Sequence, residues 1–212
     1  MNNRNAWMRA RTLAVTGLAL AAAQTASAAF IMSEFADSDE GWSSNVDSWQ
    51  TDAPRAGNDT GYLLISGNGA ITPEAWAAPK FLGDQSQALG GTFSFIANVV
   101  DPVLAHSQAM YTASVTFFSG ADSVTIDFAP RRDLVRNWGF FEVELTAAGM
   151  GISNSELTSL LGDLTDIRLS MTNNLGSAPV DIGFDNIALT PTPGAAALLM
   201  LAAPAMLRRR RA

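Results

Sequence analysis

Glu142 and Glu144 stand two residues apart in a strand-like run and are the nearest this chain comes to a catalytic carboxylate pair. Strand rise separates them by about 7 Å, inside the roughly 6.5–9.5 Å that inverting glycosidases use to seat a water. Acids on the solvent face of a sheet are, as a rule, simply solvated. His106 is the single histidine and follows Asp101-Pro102 in loop-like sequence. Serines lie near it, but no G-x-S-x-G elbow sets a nucleophile against a positioned base. Cysteine is absent, which removes thiol catalysis and thiolate zinc sites. The residues therefore read as those of a non-catalytic protein.

Aromatic rings are the other chemistry on offer. Sugar sites combine flat rings with amide and acid hydrogen-bonding groups. The chain has Trp42, Trp49, Tyr62, Trp76, Tyr111 and Trp138. Large aromatics mostly belong to cores. Trp42 and Trp49 lie in a polar stretch rich in serine and aspartate, so they are expected to be exposed and to bind carbohydrate.

The elements that must position these residues read as strands. Apolar residues alternate with polar ones in 92–100 (Phe93, Phe95, Ala97, Val99), 122–128, 140–145, 167–171 and 180–184, and 61–66 is a short apolar run. Period two over many short runs signals half-buried antiparallel strands. Ser119-Gly120-Ala121-Asp122 reads as a hairpin turn. Ser153-Asn154-Ser155-Glu156 fits a capping box, followed by Leu157, Leu160 and Leu161 on one face and Gly162 at the end. One short helix on a sheet end and many strands argue an all-β antiparallel sandwich of jelly-roll type. In the stretch 76–95, Pro79 marks a strand end, Phe81 and Leu82 supply buried area, and Gly83, Gly90 and Gly91 permit turn geometry. That stretch reads as fold punctuation, not as a site.

Both ends differ from the body. Residues 1–28 carry Arg4, Arg9 and Arg11, an apolar run 12–23 and Ala26-Ser27-Ala28, the parts of a cleavable secretory signal; an uncleaved N-terminal anchor is the alternative. Residues 191–212 begin Pro191-Thr192-Pro193-Gly194, continue as an apolar run 195–207 and close with Arg208, Arg209, Arg210 and Arg211 before the final alanine. Those 13 apolar residues span about 20 Å as a helix, short of a hydrocarbon core of about 30 Å. Pro204 disturbs the helix further. The tail suits a temporary membrane anchor with its arginines held at the cytoplasmic face.

Seven of the 13 basic residues lie in these two ends, leaving six against all 20 acids in the body, a balance of −14. Nucleic acid needs a basic footprint and is excluded as a partner. The balance keeps an exported protein soluble and permits cations. The body, 29–190, has no disulfide available and must be held by its own core.

Two resemblances emerge from these residues. The tail, with Pro191-x-Pro193, Gly194, an apolar stretch and Arg208–Arg211, resembles the PEP-CTERM sorting signal, with Thr192 where that family usually has Glu. The resemblance implies an exosortase-type membrane peptidase as partner and delivery to the surface or exopolysaccharide matrix of a Gram-negative bacterium. The run Trp76-Ala-Ala-Pro-Lys-Phe-Leu-Gly-Asp-Gln-Ser-Gln-Ala-Leu-Gly-Gly-Thr-Phe-Ser-Phe95 resembles the laminin domain IV (laminin B) signature, with Leu89 where tyrosine is usual. Trp138–Leu145, Leu160–Ile167 and Phe184-Asp185-Asn186-Ile187 resemble later parts of that domain, so the resemblance covers 34–189. It implies a surface or matrix protein with an adhesive or structural role, whose partner is an exopolysaccharide or a surface protein. A carbohydrate-binding module is the alternative and a polysaccharide-active enzyme the third reading. In jelly-roll binding modules an acid of the first strand and one of the last often meet over a structural calcium, which takes six to eight hard oxygens. Glu34, Asp37, Asp39 and Asp185 are the residues expected to hold it.

Overall fold

A computed structural model describes residues 30–36, 38–44, 49–50, 61–66, 72–101, 109–135, 137–174 and 181–192. The signal segment, Asp37, His106 and the tail from Pro193 onward lie outside these described residues.

The strands are β1 (Ile31–Ser33), β2 (Ser43–Ser44), β3 (Trp49–Gln50), β4 (Leu63–Ser66), β5 (Glu74–Trp76), β6 (Thr92–Asp101), β7 (Tyr111–Ser119), β8 (Asp122–Asp127), β9 (Gly139–Glu144), β10 (Asp166–Asn173) and β11 (Asp181–Thr190). They form two antiparallel sheets. The first runs β3-β4-β11-β6-β9, with β1 also paired to β11, and the second runs β2-β5-β10-β7-β8. The chain passes repeatedly from one sheet to the other, as in a jelly roll.

Period two does what the alternation predicts. Phe93, Phe95, Ala97 and Val99 of β6 face Ala113, Val115 and Phe117 of β7, with Ile167, Leu169 and Met171 of β10 beside them, all buried. Phe93 meets Phe117 across the sheets at 5.3 Å, edge to face. Strand β11 lies at the centre of its sheet, and its central residues are buried on both faces, so it reads as a nearly continuous buried run. Gly120 and Ala121 make the two-residue turn between β7 and β8, Gly120 with φ at +59°. Helix α1 (Ala147–Met150) precedes α2 (Asn154–Gly162). The capping box forms as expected, Ser153 accepting from the Glu156 amide while Glu156 reaches back, and Leu157, Leu160 and Leu161 are buried.

The stretch 76–95 carries the chain from the second sheet to the first. It makes two single 3-10 turns, Pro79–Phe81 and Ser86–Ala88. Its backbone bonds to residues that flank strands of both sheets, the Gly83 amide to the carbonyl of Leu164 just before β10 at 2.7 Å and the Gly90 amide to that of Leu145 just after β9 at 2.8 Å. A Cβ at Gly91 would fall 1.9 Å from the Thr190 carbonyl oxygen, so only glycine lets the crossing pass the end of β11.

Candidate functional site

Of the acids expected at a calcium site, Glu34 follows β1 and Asp185 lies in β11, the strand β1 pairs with. Asp185 is fully buried at the bulge of β11, where its carboxylate accepts from the Asn186 amide at 2.7 Å. Glu34 is exposed, and Asp39 accepts from the Gly41 amide at 3.0 Å. Among the described residues no group of three or more His, Cys, Asp or Glu converges as a metal site. Lys80 Nζ donates to the Met32 carbonyl at 2.6 Å and to the Glu40 carboxylate. The other Glu40 oxygen accepts from the amides of Glu34 at 3.0 Å and Phe35 at 2.8 Å. Burial raises the Glu40 pKa, but Lys80 and the two amides outweigh it and hold the carboxyl below its ordinary value.

Trp42 corrects an expectation. It is 1 % exposed, its indole N–H donates to Ser33 Oγ at 3.0 Å, and its ring packs edgewise on Phe35 and Phe81. It offers no face to a sugar. Its neighbours are polar because the chain turns there, with Glu40 and Gly41 both at positive φ, and the turn points the indole inward. Trp49 stands in β3 opposite Ile65; its side chain lies outside the described part. Tyr62 and Tyr111 are buried, and Trp138 packs edgewise on Tyr62 at 5.5 Å. Glu142 and Glu144 are exposed on β9, an edge strand of the first sheet.

The outer face of the second sheet gathers what a ligand would need. Because Ala75, Ile167, Leu169, Val115 and Phe117 point into the core, their alternates point out. Register places Ser43, Trp76, Arg168, Thr116 and Thr125 in one row. Glu74, Ser170, Ser114 and Asp127 make the next row. Asp166, Phe118 and Ser123 make a third. Trp76 and Phe118 stand on strands separated by β10, about 10 Å apart at two strand spacings.

Arg168 ties this face together. Its guanidinium carbon lies 4.5 Å from the Phe118 ring centre and 5.5 Å from that of Trp76, both within cation–π range. Its Nε donates to Asp166 at 2.7 Å, and a terminal nitrogen lies 3.7 Å from Glu74. The Trp76 indole N–H donates to Glu74 at 3.3 Å. Beside them Ser114 donates to Asp127 at 2.6 Å, and the Thr116 and Thr125 hydroxyls bond at 2.9 Å. Both rings are half-buried. The face thus offers braced aromatic surfaces, a guanidinium, carboxylates and hydroxyls, already connected before any ligand arrives. Beyond Phe118, an open groove of about 450 Å³ lies between the β7–β8 turn and α2, lined by Ser123, Ser155, Ser159, Asp122 and the apolar Val124 and Leu160 among others.

Sequence reasoning did not single out Arg168, Phe118 or Trp76 as members of one surface. One signal was available for Phe118. In Tyr111–Ser119 the buried phase is odd-numbered, Tyr111, Ala113, Val115 and Phe117, so Phe118 is an aromatic on the polar phase.

No family model matches the chain, and no curated protein matches it. Among solved structures it is similar to the C-terminal family 22 carbohydrate-binding module of Clostridium thermocellum Xyn10B, at 13% identity and TM-score 0.47, covering 79% of this chain and 97% of that one. It is similar to the tandem CBM22 domains of Paenibacillus barcinonensis Xyn10C, at 14% identity and TM-score 0.49, covering 76% and 48%. It is also similar to the L4b domain of human laminin alpha-2, at 11% identity and TM-score 0.42, covering 61% and 80%.

Proposed function

We propose that this chain is an exported, non-catalytic glycan-binding β-sandwich, and that a neutral polysaccharide lies on the outer face of the second sheet. The observation that carries this is Arg168 set between Trp76 and Phe118. A sugar presents apolar C–H faces and a rim of hydroxyls, and this face presents aromatic surface with donors and acceptors around it.

Charge selects the ligand class. Arg168 is one cation among Glu74, Asp166 and Asp127, on a body with a balance of −14. Uronate-rich or sulfated chains would meet repulsion, and neutral ones would not. The exposed Glu142 and Glu144 belong to the other sheet, away from this face, which supports a binding role over hydrolysis. An adhesive or matrix role arises when the bound glycan is itself part of the matrix.

Export and sorting belong to the same reading. The signal-like 1–28, and the tail with Pro191, Pro193, Gly194 and Arg208–Arg211, support transient membrane anchoring and release by an exosortase-type peptidase.

The test is a binding screen of residues 29–190 against neutral β-glucans and xylans beside uronate-rich and sulfated polysaccharides, with calcium and with EDTA. Saturable binding of a neutral chain, lost in Trp76→Ala, is expected. Binding of the anionic chains alone, or of none, overturns the assignment.

A further inference from the structure

We propose that one pole of the sandwich seats on a zwitterionic phospholipid surface, with Phe30 and Leu89 entering the headgroup layer. This rests on the membrane-anchoring reading of the tail. Strands β1 and β11 pair antiparallel, Ile31 opposite Leu189, so the start of the first strand and the end of the last lie at one pole, about 5 Å apart. The chain is then pinned there. Thr192 donates its hydroxyl to the Leu89 carbonyl at 3.0 Å.

Chain length beyond that bond sets how far the pole can stand from a membrane. Only Pro193 and Gly194 separate Thr192 from Ala195, the first residue of the apolar run. Three steps of extended chain reach about 10 Å. The headgroup layer on each side of the hydrocarbon is about 5–8 Å thick. With the apolar run in hydrocarbon, the pole cannot stand clear of the interface.

The surface agrees. Among the described residues three large apolar side chains are exposed: Phe30 at 57%, Leu89 at 47% and Phe140 at 59%. Scattered exposed apolar residues are ordinary. Two of these three border the exit of the tail, Phe30 next to Ile31 and Leu89 bonded to Thr192. Glu144 pairs with Thr92 at the same end and is exposed. An anionic lipid would be repelled there, which is why a zwitterionic surface is specified.

The absence of cysteine makes the test clean. Leu89→Cys and, as control, Arg132→Cys are each labelled with a polarity-sensitive fluorophore in residues 29–212. Arg132 is exposed and lies near Leu134, which bonds Val99 at the far end of β6. Both proteins are mixed with phosphatidylcholine vesicles, floated, and probed with brominated lipid. The expected result is co-flotation, a blue shift and quenching at position 89, and neither at position 132; Phe30→Ser should weaken the quenching at 89. Co-flotation with both labels equally in water overturns the seated pole and leaves the tail anchor standing. Failure to float overturns the anchor, and the pole with it.

Discussion

The guanidinium carbon of Arg168 stands 4.5 Å from the centre of the Phe118 ring. Both side chains belong to the outer face of the second sheet, and the Trp76 ring lies on the other side of Arg168 at 5.5 Å. Arg168 therefore holds two rings in place on a surface where unbraced aromatics would sample several rotamers. Ordering them in advance lowers the cost of binding.

Trp76→Ala is expected to lower affinity for the neutral glycan at least tenfold, about 1.4 kcal/mol. Arg168→Gln is expected to cost less, a few-fold, because it removes the brace and not the rings. Added salt should leave wild-type affinity unchanged, since the ligand carries no charge to screen. Isothermal titration calorimetry at low and high salt checks all three. A steep fall with salt would mean ionic recognition instead.

Trp42 should behave as a core residue. Trp42→Ala is expected to destabilise by about 3–5 kcal/mol. Trp42→Phe keeps a ring beside Phe35 and Phe81 but leaves the fully buried Ser33 hydroxyl without its indole donor, at a cost of about 1–3 kcal/mol. The phenylalanine variant should bind glycan as the parent does. Urea unfolding beside the binding assay tests this, and a binding loss in a stably folded Trp42→Phe would return the indole to the site.

These two tryptophans show where sequence stops informing. Periodicity placed Phe93, Phe95, Val99, Ile167 and Leu169 inside, because a sheet with one buried face imposes period two on its own residues. The capping box and the hairpin turn are local and were legible for the same reason. Strands β1, β2, β3 and β5 are too short to show a period. The outer face of the second sheet is a product of register between β5, β10, β7 and β8, and Trp76 and Arg168 are 92 positions apart in the chain. Nothing local to either says that they meet. Trp42 failed for the opposite reason, since local polarity described the turn and not the direction of the indole.

Two glycines separate close approach from chain freedom. Gly91→Ala would drive a Cβ to 1.9 Å from the Thr190 carbonyl oxygen, a backbone atom fixed in β11, so the variant is expected to lose several kcal/mol or fail to fold. Gly162→Ala ends α2 with nothing within 4 Å of the new Cβ. It is expected to be neutral or to stabilise by up to about 1 kcal/mol, since alanine is the better helix former. Thermal melts of the two variants decide the matter, and equal melting points would show that the 76–95 crossing can shift to make room.

Glu40 gives a pH-dependent prediction. Burial raises its carboxyl, yet Lys80 and the Phe35 and Glu34 amides bring the folded value below the ordinary 4.5. The unfolded chain therefore takes up the proton first. The stabilisation is complete above the ordinary value and is lost as pH falls through the lowered folded value. The pair is partly exposed, Lys80 at 37% and Glu40 at 25%, so solvent weakens it, and Glu40→Gln at neutral pH is expected to cost about 1 kcal/mol. The gap between wild type and Glu40→Gln should shrink as pH drops below 4.5. Lys80→Met should cost a similar amount, because it strips the Met32 carbonyl and the carboxylate of their shared donor. Thermal melts taken downward from neutral pH measure the gap directly; a gap that stays constant across the range would mean that the Glu40 charge is not what holds the first strand to the 76–95 crossing.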